Sequence, residues 1–98
     1  MDITYKNNKI RRVCTDIATA DRTYGPKMTE KIHQRLDEIR ASDSVESMIK
    51  FHIGRCHALM QDRRGQYAMD LIQPYRLIFE KNGAEAHLVN ILEIVDYH

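Results

Sequence analysis

The spacing of apolar residues changes once along this chain, at Gly54, and that change limits what the chain can fold into. Before it the period is helical. Ile10, Val13, Cys14 and Ile17 fall at i, i+3, i+4 and i+7 behind a cap at Asn7 or Asn8, giving a first helix one apolar stripe. Gly25-Pro26 marks a break, and proline suits the first turn of a second helix. Met28, Ile32, Leu36 and Ile39 recur at helical spacing while Lys31, Arg35, Asp37 and Glu38 face away, which predicts an amphipathic helix over 27–41. Asp43 and Glu46 have capping-box spacing for a shorter helix through Met48 and Phe51.

After Gly54 the period is two. Tyr67, Met69 and Leu71 alternate with Ala68, Asp70 and Ile72; Gln73-Pro74 turns the chain; Tyr75, Leu77 and Phe79 alternate with Arg76, Ile78 and Glu80. Asn82-Gly83 signals a two-residue hairpin, because both central positions of that turn want a positive φ. The nearly continuous apolar run from Leu88 to Val95 reads as a strand covered on both faces. Ile3-Thr4-Tyr5 supplies an opening edge strand. The expected fold is α+β, with two helices on one face of an antiparallel meander and the other face at least partly open. Ninety-eight residues make one domain, 1–98, with no linker, repeat or low-complexity segment.

A hydrophobic fraction of 43% with 30% charge supports a folded, soluble protein rather than a disordered one. No apolar run approaches the ~20 residues of a membrane span, and no basic-then-apolar leader opens the chain. Cys14 and Cys56 stand alone without metal spacing and read as reduced, structural thiols. A cytoplasmic protein with no membrane partner is expected. No serine–histidine–acid set, phosphate-cradling glycine loop or metal spacing is visible, so neither a metal nor a cofactor is expected.

The net charge of +1 argues against a protein that coats nucleic acid electrostatically. Its distribution says more. Residues 50–76 carry Lys50, Arg55, Arg63, Arg64 and Arg76 against Asp62 and Asp70, whereas 77–98 carry Lys81 against Glu80, Glu85, Glu93 and Asp96. The basic excess shares its segment with His57. Arg76, one residue into a central strand, either pairs with a carboxylate such as Glu80 or Asp70 or faces an anion, whose geometry its fork fits bidentately. His57 is either a structural residue or a proton acceptor and phosphate contact. Asp62-Arg63-Arg64-Gly65 is either a solvated turn or a turn displaying two cations. Tyr97 and His98 close the chain after an apolar strand, while His33, His52 and His87 lack comparable company.

Taken together, Cys56-His57-Ala58-Leu59, Asp62-Arg63-Arg64-Gly65-Gln66-Tyr67, Pro74-Tyr75-Arg76-Leu77-Ile78-Phe79 and the closing Asp96-Tyr97-His98 resemble the HigB branch of the RelE/ParE toxin superfamily. These are the "killer proteins" of type II toxin–antitoxin modules. The family pattern is His-Pro-Leu-Lys-Gly-Asp, basic residues and glycine, an aromatic-started strand, a second strand bearing arginine, and a final Asp-Tyr-His. The resemblance implies a RelE-like, microbial-RNase-like fold and a ribosome-dependent mRNA endoribonuclease. Its partners would be a HigA-like helix-turn-helix antitoxin, the ribosome and mRNA, with operator DNA bound only through the antitoxin complex.

On matching positions His57, Arg76, Tyr97 and His98 take the active-site roles, and Arg55, Arg63, Arg64 and Tyr67 are the expected RNA contacts. Two positions depart from the pattern: Met60 stands where it has lysine, and Ile72 where some members carry a further arginine. Arg63 and Arg64 are candidates to replace that charge. The same superfamily holds ParE-like members that bind a topoisomerase and cut no RNA, and a decayed toxin would persist as a partner- or operator-binding module. Fold alone does not separate these.

Overall fold

In the computed structural model, which describes residues 1–83 and 87–96, Asn7 turns the chain from strand to helix. The strand is β1, Asp2–Tyr5. The Asn7 side chain accepts a hydrogen bond from the backbone N–H of Ile10 at 3.0 Å and so caps α1, Asn8–Thr15. Ile10, Val13 and Cys14 are buried as the spacing requires, but the stripe stops there. Asp16 takes extended backbone and accepts from the Thr19 hydroxyl, starting a separate helix α2, Ile17–Tyr24. Ile17 opens that helix and is 57% exposed, so its expected place on the first stripe is corrected.

Pro26 begins α3, Pro26–Ala41, behind a glycine at φ 92°, a value that favours glycine. Met28, Ile32, Leu36 and Ile39 are buried, as expected of a helix over 27–41. Arg35 does not face away. Its side chain is 12% exposed and bonded inward, because its guanidinium finds the carbonyl of Asp70 and the carboxylate of Glu38. The short helix α4, Val45–Lys50, is capped by Ser44, which accepts from the N–H of Ser47, and not by Asp43. Phe51 lies beyond α4 as its C-cap and is 64% exposed, whereas Val45 and Met48 are buried. The described residues thus hold four α-helices where the spacing predicts three, α2 being the addition.

The remaining strands are β2 (His57–Ala58), β3 (Gln66–Asp70), β4 (Tyr75–Lys81) and β5 (Leu88–Asp96). The sheet order is β1-β5-β4-β3-β2. From β3 to β5 the pairing is antiparallel as expected, and β2, a strand the spacing does not predict, adds antiparallel to β3. β1 corrects the meander: it joins β5 in parallel, Ile3 opposite Val89, which makes the sheet mixed. Such a pairing needs a long crossover, and the helical layer provides it. β3 and β4 meet through the turn Ile72-Gln73-Pro74-Tyr75, whose Gln73-Pro74 bond is cis.

Two further expectations are corrected at β5. Lys81 pairs with Val89, so the strands connect through 82–87 and not by a two-residue turn, although Gly83 does take φ 61°. The apolar run is also not doubly covered. Ile78 pairs with Glu93 and Phe79 with Ile91, leaving Leu92 as an extra residue. This bulge shifts the side-chain phase: Val89 and Ile91 enter the core before it and Ile94 packs there after it, while Glu93 stays exposed. An unbroken run of apolar residues in the sequence is therefore one alternating face interrupted by a phase shift.

Met69, Leu71, Leu77, Phe79, Val89 and Ile91 meet Ile32, Leu36, Ile39 and Met48 in one core. Residues opposite each other across strands share a face, so the other side of the sheet carries three rows. They are Thr4–Asn90–Glu80–Gln66, then Glu93–Ile78–Ala68–His57, then Val95–Arg76–Asp70.

Gly54 ties the helical layer to the sheet edge. It sits at φ 56°, and a Cβ there would lie 2.8 Å from Nε of Arg35, the nitrogen bonded to Asp70. Gly54→Ala is expected to cost about 1–3 kcal/mol, combining left-handed backbone with displacement of a bonded side chain. Urea unfolding measures this; an unchanged midpoint would show that Arg35 yields freely.

Candidate functional site

β2 is reached straight from a tight 3₁₀ turn, Ile53–Arg55. His52, Gly54 and Arg55 take φ values of 55°, 56° and 55°. Glycine adopts this region freely, but histidine and arginine do so only where their surroundings hold them. Here the N–H of Arg55 donates to the His52 carbonyl at 3.1 Å, that of Cys56 to Ile53 at 2.9 Å, and the buried Cys56 anchors the exit. The turn delivers His57 opposite Ala68, half-buried, with Nδ1 2.8 Å from the Arg55 carbonyl oxygen.

Arg76 stands opposite Asp70 in the neighbouring row, with Nε 3.6 Å from Oδ1, an ion pair longer than a hydrogen bond. Of the two carboxylates open in sequence, Asp70 is the partner; Glu80 instead accepts from the Asn90 amide. The other oxygen of Asp70, Oδ2, lies 3.2 Å from Nε of Arg55. One carboxylate, its side chain 12% exposed, therefore faces two arginines. Its own backbone carbonyl accepts from Arg35 at 2.6 Å.

Arg63 reaches over the sheet to Glu93 at 3.1 Å and bonds Gln66 on the way. Arg64 is exposed and forms no ion pair among the described residues. Met60 and Ile72, which replace cations of the family pattern, are both exposed. Ala68 and Ile78, fully buried, make the apolar floor of this face. His57 and Arg76 are two strands and one row apart, which from ~4.8 Å between strands and ~3.3 Å per residue sets their Cα atoms roughly 12 Å apart. Side chains of their length span most of that gap and leave room for a phosphodiester.

The structure brings His57, Arg55, Arg76 and Arg63 to one side, with Arg64 exposed next to Arg63 in the chain. It places Tyr67 on the other, stacked on Phe79 with ring centroids 5.6 Å apart and packed against the core. Tyr67, the second residue of β3, is out of phase with Ala68 and Asp70, so the period of two sends it under the helices. Tyr97 and His98 lie outside the described residues; Asp96, before them in sequence, pairs with Tyr75. Sequence reading missed Arg35 and Glu93 as organisers of this face. Arg35 sits among outward-facing charges on α3, and Glu93 reaches the open face only through the bulge.

Among the described residues no set of histidine, cysteine, aspartate and glutamate is grouped to hold a metal ion. No described helix is long and apolar enough to cross a membrane. Glu46 is held below the usual carboxylate range by the hydrogen bond from Lys81, which is raised in turn.

No protein-family model matches the chain, and no curated protein sequence matches it. Solved structures do. YoeB in its complex with YefM from Staphylococcus aureus matches at 19% identity and a TM-score of 0.66, over 100% of this chain and 97% of that one. A YoeB/ParE toxin from Agrobacterium tumefaciens matches at 12% identity and a TM-score of 0.68, over 100% of both chains. The S. aureus YoeB dimer matches at 19% identity and a TM-score of 0.65, over 100% of this chain and 97% of that one. At these identities the likeness establishes a shared fold, the α+β architecture of YoeB/ParE-type toxins.

Cys56 precedes His57 in the chain, an arrangement that invites a nucleophile assignment. Burial argues against it, pushing the Cys56 thiol up to about 11 and the Cys14 thiol to about 12. At pH 8 both are expected to stay protonated and to react with iodoacetamide only after unfolding. Mass spectrometry of the native protein checks this; rapid labelling of Cys56 would restore it as a candidate nucleophile.

Proposed function

We propose that this chain, a single toxin domain over 1–98, is the HigB-type toxin of a type II toxin–antitoxin module and acts as a ribosome-dependent mRNA endoribonuclease. One observation carries the reading. At its β2–β3–β4 end a single sheet face groups an imidazole, His57, with the guanidinium groups of Arg55, Arg63 and Arg76 beside Asp70 and Glu93, while Glu80 lies in a separate row with Asn90 and Gln66. That composition favours a phosphodiester over a neutral substrate. The resemblance from His57 onward and the shared fold support the same class.

The chemistry is cleavage by the RNA's own 2′-hydroxyl. A base removes its proton, the oxygen attacks the adjacent phosphorus in line, and the 5′-oxygen leaves with a proton from an acid. A 2′,3′-cyclic phosphate remains. His57 and His98 form the proton-transfer pair, and Tyr97 stacks on a base or bonds a phosphate. Arg76 stabilises the charge that gathers on the phosphorane, a contribution of the kind that is usually large. Arg55, Arg63 and Arg64 contact the RNA backbone, whereas Tyr67, seated under the helices, supports the sheet. A net charge of +1 suits RNA presented by a ribosome better than RNA captured from solution. The protein acts in the cytoplasm, and its antitoxin is a HigA-like helix-turn-helix protein that also carries it to operator DNA.

The Asp70–Arg76 ion pair is also what a purely structural arginine would make. It keeps a second reading in play, a ParE-like toxin that binds a topoisomerase. Expression without a partner separates the two. Primer extension on messages from arrested cells is expected to show discrete cuts within coding regions; intact messages with accumulated gyrase–DNA breaks would establish the rival.

Arg76→Ala is expected to lower cleavage by about 10²–10³ while the circular dichroism spectrum is preserved. Unfolding of the variant would mean that the ion pair with Asp70 is the residue's main role.

A further inference from the structure

The tautomer of His57 can be argued from a single contact. Nδ1 of His57 lies 2.8 Å from the carbonyl oxygen of Arg55. A carbonyl oxygen accepts and never donates, so the shared proton resides on Nδ1. In the neutral ring the lone pair is then on Nε2.

The carbonyl reaches Nδ1 because Arg55 holds left-handed backbone, at φ 55°. Two hydrogen bonds close that turn from within, and a third tie comes from outside it. Nε of Arg55 meets Oδ2 of Asp70, and the pair is asymmetric: the arginine side chain is 70% exposed and the aspartate 12%. Asp70 is therefore the fixed end. It is fixed in turn by β3 and by the bond from Arg35 to its carbonyl.

We propose that Asp70 is a positioning residue, which by clamping Arg55 aims the Arg55 carbonyl at Nδ1 and holds His57 as the tautomer whose Nε2 takes the 2′-hydroxyl proton. The chemical role rests on the nuclease reading; the tautomer does not. In the step assigned to His57, the O2′–H bond breaks and its proton passes to Nε2. The freed electron pair forms the O2′–P bond, the P–O5′ bond breaks, and the departing oxygen takes a proton from the second histidine, His98. The imidazolium left at His57 still donates from Nδ1 to Arg55. Oδ1 of the same aspartate faces Arg76, so base and charge-stabilising arginine share one anchor.

Histidine ¹⁵N NMR on the full chain without RNA tests this, at a pH where the imidazole is neutral. Wild-type His57 is expected to show a protonated Nδ1 and a bare Nε2. In Asp70→Ala the single tautomer should give way to a mixture. Arg55→Ala, which removes an exposed side chain and keeps the carbonyl, should do the same if Asp70→Ala does not fold. Asp70→Asn, which retains an acceptor for Arg55, should fall between. Ribosome-dependent cleavage should drop about 10- to 100-fold in kcat with KM little changed, the scale seen for outer-shell partners that orient an imidazole. A proton on Nε2 in the wild type would overturn the assignment, and a tautomer unmoved in Arg55→Ala and any folded Asp70 variant would overturn the role of Asp70. Expected tautomers in a protein that cuts no RNA would uphold the clamp and sink the nuclease reading alone.

Discussion

Asp70 is where the helical layer, the turn before β2 and the strand β4 are joined. Its backbone carbonyl takes the guanidinium of Arg35 from the helical layer, one side-chain oxygen takes Arg55 from the turn before β2, and the other faces Arg76 on β4. A carboxylate this enclosed is costly without cations around it, and cations this close would repel one another without it. The group is stable only as a set. The position of the candidate site at the β2–β3–β4 end of the sheet follows from that mutual dependence.

The sheet owes its two unlike faces to the bulge at Leu92. Upstream of it Val89 and Ile91 point to the helices; downstream, Ile94 does, and Glu93 is delivered to the open side. There Glu93 receives Arg63 from the loop between β2 and β3. Without the extra residue, the strict alternation of β5 would send Glu93 into the core and Ile94 into solvent. The same device that lets an apolar run serve one face thus also supplies the acidic partner that organises a cationic loop.

Much of the architecture was legible because periodicity is set by burial. α3 could be read from Met28, Ile32, Leu36 and Ile39, and β3 and β4 from their alternation about Gln73-Pro74. α2 was not, since Ala20 is its one buried residue and no apolar stripe marks it. The parallel partner of β1 was hidden because pairing across 86 positions leaves no local trace. For the site, residue type pointed to His57, Arg76 and the arginines, and to Asp70 as one candidate partner. It could not give Arg35, whose inward turn depends on a carbonyl at the end of β3, or the side taken by Tyr67 among candidate contacts. Side chains held by tertiary hydrogen bonds have no periodic signature.

The parallel pair β1 and β5 has a consequence for how the chain comes to be folded. Ile3 must meet Val89, and β5 is also the neighbour on which β4 closes. While the chain is being synthesised, α1 to α4 are complete long before either pairing can form. The first strand waits, unpaired, for the last. The row that holds Arg76 gains its flank only when Val95 has emerged. Assembly therefore runs from local helices to a sheet finished at its final strand, and the face that carries the candidate site is among the last surfaces the polypeptide acquires.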